Sequence, residues 1–322
     1  MALFLVDLTS LFFLTLLKQT AVTAAMGYAS SITFFALSVG LGSAVAASAL
    51  VARFVGAGEV ERARSYATSS LLFALLTSAL TSLVLVLFSD EALSLMNANG
   101  QSKVLALSYI RIVSPGLVLF GGSLCLSAIL RGLGDARRAM YVMLAMASVT
   151  IALGPVLILG VGMGISGAAV AAVLGYIAAL GVGLHGVMKV HRFLDTLRLS
   201  GLRRDIADIW AIAYPAGLSQ LTVPLGNAYM TYVIARFGDE AVAGFAVISR
   251  LMPVTFGIAL ALSSAVGPVI GQNYGAALFQ RVRSTLTQSL LMATQLHNLH
   301  VGYPACVCCR HCVGIQRGGH DT

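Results

Sequence analysis

Charge is scarce in this sequence. Only 10% of its 322 residues are charged, where a soluble domain carries about a quarter. So few charges cannot cover a water-facing surface, which excludes an ordinary soluble globule. No Walker loop, metalloprotease helix or nucleophile elbow is present, so ATP-driven transport and hydrolysis within the membrane have no basis, and no enzyme activity or cofactor is expected. Met1–Leu17 lacks a basic n-region and a small-residue cleavage site, and Asp7 interrupts it, so it does not read as a signal peptide.

Apolar residues make up 58% of the chain and mean hydropathy is +0.90. Ser70–Phe88 and Met140–Leu159 contain no charge. Each is about 20 residues, enough to cross roughly 30 Å of hydrocarbon as helix. The 33 glycines are scattered through these runs among Ala and Ser, a usage that lets helices approach closely in lipid. The expected fold is an all-α, polytopic transmembrane bundle of about eight to nine spans rather than a β-barrel. Spans are placed at about Met1–Leu17, Ala29–Phe54, Thr68–Phe88, Val104–Leu130, Met140–Leu159, Ser166–Val187, Ile209–Ala235 and Ala243–Ile270, with a ninth from near Thr285.

The formal charge of +8 raises nucleic acid as a partner, but the basic residues sit in short connections. Alternate connections hold Arg53, Arg62 and Arg64, then Arg131, Arg137 and Arg138, then Lys189, Arg192, Arg198, Arg203 and Arg204, then Arg281 and Arg283. The opposite set holds only Lys18, Lys103, Arg111 and Arg236. This asymmetry places the first set in the cytoplasm. The bilayer is the partner it implies, not nucleic acid.

A shift of 219 residues lays Gly56-Ala57 on Gly275-Ala276, Arg62 on Arg281, Arg64 on Arg283, Ser65 on Ser284, Thr68 on Thr287 and Ser70-Leu71-Leu72 on Ser289-Leu290-Leu291. Such a cluster reads as an internal repeat. Six spans separate the units, so the halves are parallel. The expected organisation is a first bundle over 1–188 with a shortened first span, a cytoplasmic linker over 189–208, a partial second bundle over 209–294 and an aberrant tail over 295–322. The tail concentrates Cys306, Cys308, Cys309, Cys312 and His311. It reads either as a shifted reading frame or as a metal site, and the spacing favours the former because no second ligand group lies at zinc-finger distance.

The stretches Leu5-Val6-Asp7-Leu8, Gly27-Tyr28, Ala47–Arg53 with Gly56-Ala57-Gly58, Leu130–Asp135, Gly162–Ala171 and Gly271-Gln272-Asn273-Tyr274-Gly275-Ala276 stand in the order and spacing of one family. Over about residues 1–294 the chain resembles the multidrug and toxic compound extrusion (MATE) family. The resemblance implies part of a two-bundle (6+6) antiporter of the bacterial inner membrane, exporting organic cations in exchange for protons or sodium. An inactive truncated product of that family and a lipid-linked oligosaccharide flippase of similar architecture are the alternatives.

Asp7 is the only acid within a predicted span. A carboxylate held mid-membrane costs about 2.5–3.5 kcal/mol on insertion scales and is by default an ion or partner site. The resemblance matches Asp7 to the family's first-span aspartate and implies ion coupling there. The chain departs from the pattern at Thr150 and Gly154-Pro155, where the family shows Asn and Asp-Pro, and at Val223, near the glutamate of sodium-coupled relatives. Tyr28, Gln220, Asn227 and Tyr229 are candidate substrate contacts, because aromatic faces and amides suit organic cations. The same residues also suit interhelical hydrogen bonds and interfacial tyrosines.

Overall fold

The protein is seen here in a computed structural model that describes residues 13, 20–194, 199–255 and 257–295. Among these residues it is helical throughout. The helices are α1 (Thr20–Gly56), α2 (Val60–Leu95), α3 (Gly100–Gly132), α4 (Ala136–Pro155), α5 (Gly164–Leu184), α6 (Leu199–Ala235), α7 (Asp239–Thr255), α8 (Gly257–Gly275) and α9 over 279–295. Short π-helical segments extend α4 over Val156–Gly160 and α5 over His185–Val190. The first of these follows Pro155 directly, where the missing amide N–H breaks the regular ladder. Asp7 and the tail from 296 onward lie outside the described residues.

Among the described residues, five helices are long and apolar enough to cross a bilayer, namely α1, α2, α3, and α4 and α5 with their π extensions. The helices outrun the apolar spans. At 37 residues α1 is about 55 Å long, so its ends project beyond the hydrocarbon. The last helix likewise starts at 279, earlier than Thr285.

The bundle is built from the inside out around α1 and α3. α3 is the most enclosed of the spans, with 78% of its apolar window buried against 17% in α2. On α2 the residues Leu76, Leu80, Leu83 and Leu87 are each more than half exposed. They recur at helical spacing and form a stripe suited to lipid. Association of apolar helices in lipid depends on close packing and interhelical hydrogen bonds. Both occur here. A Cβ on Gly121 would collide with Ser78 Oγ, so α2 and α3 touch closely. Ser82 donates to the Ser114 carbonyl at 2.6 Å, and Ser127 of α3 donates to the Ala139 carbonyl of α4 at 3.2 Å.

The ends of α1 and α8 carry the repeat into three dimensions. After α1, the N–H groups of Ala57, Gly58 and Glu59 donate to the carbonyls of Arg53, Val55 and Phe54; after α8, those of Ala276, Ala277 and Leu278 donate to Gln272, Tyr274 and Asn273. Each bond of the second set is the first moved by 219 positions. The turn needs one residue in the left-handed region. Gly58 supplies it at φ 77°, and Ala277 adopts it at φ 57°.

Candidate functional site

The two halves meet along one seam, where α1 packs against α6, α7 and α8. Near the N-terminal end of α1, Gly27 leaves room for α7. A Cβ built on it would lie 3.1 Å from that of Ala246. One turn on, the Ser31 hydroxyl is 3.0 Å from Thr231 Oγ1 and accepts from Asn227 Nδ2 at 3.1 Å. Ser38 donates to the Gln220 carbonyl at 3.1 Å. Further along, a Cβ on Gly42 would lie 2.9 Å from both the Ala213 carbonyl and the Gly217 backbone.

At the basic end, α1 meets α8. A Cβ on Gly271 would lie 2.9 Å from Ala52 Cβ, while one on Gly56 would collide with the Gln272 carbonyl and one on Gly275 with the Arg53 carbonyl. These contacts are symmetric under the 219-residue shift. It carries Ala52 onto Gly271 and Gly27 onto Ala246, so each pair joins a position to its own repeat equivalent, and it exchanges the Gly56–Gln272 contact with the Gly275–Arg53 contact. A pseudo-twofold axis therefore runs along the seam and is closed at both ends. The two self-paired levels are 25 residues apart, about 37 Å along a helix.

Polar clamps reinforce the basic end. Gln272 Nε2 donates to the Gly132 carbonyl at 2.9 Å. Asp205 of α6, 6% exposed, accepts from Ser65 and Ser69 of α2 at 2.6 and 2.9 Å, and Asp208 accepts from Tyr66 at 2.5 Å. In the α3–α4 turn, Asp135 accepts from the Arg138 amide at 3.0 Å and pairs with the Arg138 guanidinium and with His191 Nε2, the latter at 2.9 Å. Desolvation pushes the Asp135 carboxyl up, but the Arg138 amide and guanidinium and His191 outweigh it and hold it at about 2.

Of the residues expected to act on substrate, Tyr28, Gln220 and Asn227 lie on seam helices. Tyr28 is 1% exposed, Asn227 hydrogen-bonds to α1, and Gln220 lends its carbonyl to Ser38. Tyr229 is 66% exposed and is not brought to the seam. Thr150 is buried between α4 and α5, with its hydroxyl 3.5 Å from the Ala171 carbonyl. Reading the sequence missed Ser31, Ser38 and Thr231, because a serine or threonine in an apolar run carries no sign of its partner. It also left Gly271 and Gln272 without a role, although extending the 219-residue shift to Ala52 pairs Gly271 with it.

An all-α bundle of membrane-crossing helices, joined about a pseudo-twofold seam, is the architecture of a two-bundle transporter, and the protein is a multi-pass integral membrane protein. The MatE family profile matches residues 1–156 and 215–299. The chain belongs to the MatE family of multidrug and toxic compound extrusion transporters. It is 30% identical over 290 residues to the FAD transporter of Shewanella oneidensis, covering 88% of this chain and 64% of that protein. It is 24% identical over 274 residues to the multidrug export protein MepA of Staphylococcus aureus, covering 83% of this chain and 60% of MepA. The chain thus spans less than two thirds of the length of these relatives. A MATE transporter crystallised in the bent conformation superposes with a TM-score of 0.81 at 25% identity, over 94% of this chain and 68% of that one.

Proposed function

We propose that the protein is a secondary active exporter of organic cations in the bacterial inner membrane, working by alternating access and driven by protons or sodium through Asp7. In this reading residues 1–188 form the first bundle, 189–208 the linker and 209–294 the part of the second bundle present, with the basic end facing the cytoplasm. The observation that carries it is the seam. Two repeat-related helix sets that touch near both ends of one seam can rock against each other as bodies, parting one end while the other stays in contact. Tyr28, Gln220 and Asn227 lie where such a seam would part, beside the path a solute would take. Tyr229 would serve a cargo only from the opposite, exposed face of α6.

The coupling role of Asp7 follows from linkage. Desolvation raises a carboxyl's pKa and a nearby cation lowers it, so cargo and coupling ion compete for one charge. A second reading concerns cargo. The FAD transporter of Shewanella oneidensis covers more of this chain, at higher identity, than MepA does, which favours a flavin nucleotide over a cationic drug.

The test is uptake into everted vesicles from a host lacking its own exporters, with a cationic dye and FAD offered in parallel. Dye uptake that Asp7→Asn abolishes, with the protein still inserted, supports the first reading. Uptake of FAD alone supports the second. Transport at the parental rate in Asp7→Asn places coupling elsewhere, and no uptake of either solute favours an inactive relative.

A further inference from the structure

An open cavity of about 530 Å³ lies at the basic end, walled by α1, α2, α6 and α8. Its lining mixes charged and apolar side chains. Leu50, Ala211 and Ile212 line it together with Arg53, Arg62 and Arg204 and two acids, Glu59 and Asp208. The acids are already engaged. Glu59 pairs with Arg62 at 2.7 Å, and Asp208 accepts from Tyr66. Among the described residues, neither Arg53 nor Arg204 has a carboxylate within ion-pair distance. The Arg53 guanidinium is held by rings instead, 5.8 Å from the centroid of Phe54 and 5.7 Å from that of Tyr274.

Two guanidiniums with no carboxylate in ion-pair reach among the described residues, one steadied by aromatic faces, beside apolar side chains in one cavity, match the chemistry of a phosphate. A guanidinium binds phosphate oxygens in bidentate fashion, and basic pockets between spans suit anionic head groups. We propose that this cavity binds a phosphate-bearing anion, either an anionic phospholipid head group or a soluble phosphate, through Arg53 and Arg204. The walls come from both sides of the seam. Arg53 lies on α1, Arg204 on α6 and Tyr274 on α8, so the bound anion holds the basic end closed by binding that arrangement better than a parted one.

The proposal does not depend on the cargo or on transport, and its test reads binding and closure alone. The full chain is reconstituted in nanodiscs of phosphatidylcholine with or without phosphatidylglycerol, and separately in phosphatidylcholine with sodium phosphate or sodium chloride at matched ionic strength. Lipid retention or phosphate affinity is measured, together with the rate at which an Ala52→Cys, Gly271→Cys pair cross-links. Phosphatidylglycerol alone, or phosphate alone, should bind and speed cross-linking, which identifies the source. Arg53→Gln with Arg204→Gln should weaken that binding about a hundredfold, the order expected for losing two charged hydrogen-bonded contacts at roughly tenfold each. Arg204→Gln alone guards against misfolding, since Arg204 is exposed. It should weaken binding without changing the protein's own unfolding temperature in phosphatidylcholine. Arg137→Gln with Arg281→Gln removes the same charge elsewhere and should leave binding intact. Equal loss in that control, or no effect of either anion, overturns the proposal.

Discussion

Ala52 on α1 and Gly271 on α8 lie face to face, with room for 2.9 Å between their Cβ positions, and each is the other's repeat equivalent. No side chain separates the two helices at this level. Parting the basic end must separate these two residues.

Cysteines at this pair should therefore trap the closed basic end. Disulfides need Cβ atoms about 3.5–4.5 Å apart, which a separation of less than about 2 Å from the present packing provides. The background carries alanine at Cys125, Cys306, Cys308, Cys309 and Cys312. Ala52→Cys with Gly271→Cys should cross-link rapidly under mild oxidation, as read by intramolecular disulfide after proteolysis between the halves. Transport should stop on oxidation and return on reduction. Cross-linking no faster than for a pair at Ala52 and Gly217 would show that the seam is not populated.

The glycines of the seam should be unequal in what they tolerate. Gly56→Ala and Gly275→Ala drive a methyl into the backbone of the facing helix, whereas a Cβ on Gly217 meets nothing within 4 Å. Overpacking of this kind costs about 1–3 kcal/mol, while removing a helical glycine in open space gains up to about 1 kcal/mol. Unfolding temperatures in detergent should fall for the first two variants and hold or rise for Gly217→Ala. Equal effects at all three would mean that α1 and α8 do not approach this closely.

Asp135 ties the α3–α4 turn to the segment around His191, and the tie depends on pH in a defined direction. Its folded pKa, about 2, lies below the ordinary carboxylate value near 3.8. The stabilisation is therefore fully present above about pH 4 and is lost as pH falls toward 2. Trypsin cuts at Lys189 and Arg192 should be slow at pH 7 and several-fold faster in Asp135→Asn. An acid-tolerant protease should show the wild-type protein losing that protection between about pH 4 and 2, with no such step in the variant. A step of equal size in both would assign the protection to other groups.

Much of this architecture is legible without coordinates. Spans announce themselves because a chain crossing hydrocarbon must be apolar over a fixed length. Helix ends are marked where Gly58, Gly134 and Gly238 take positive φ. Ala277 takes the same conformation with no glycine to mark it, and only its place in the repeat shows the turn.

Sequence alone determined that the protein is a helical membrane bundle with an internal repeat and a basic end, because length, apolarity, charge asymmetry and recurrence are local or additive properties of a chain. Tertiary structure decided which faces of those helices meet. Tyr28 and Tyr229 are the same residue type in similar apolar surroundings, yet one is 1% exposed and the other 66%. In lipid an apolar helix has no preferred side by hydrophobicity, so close packing at glycines and single hydrogen bonds such as Asn227 to Ser31 choose the face. Those choices depend on a partner some 200 residues away, which no local pattern in the chain records.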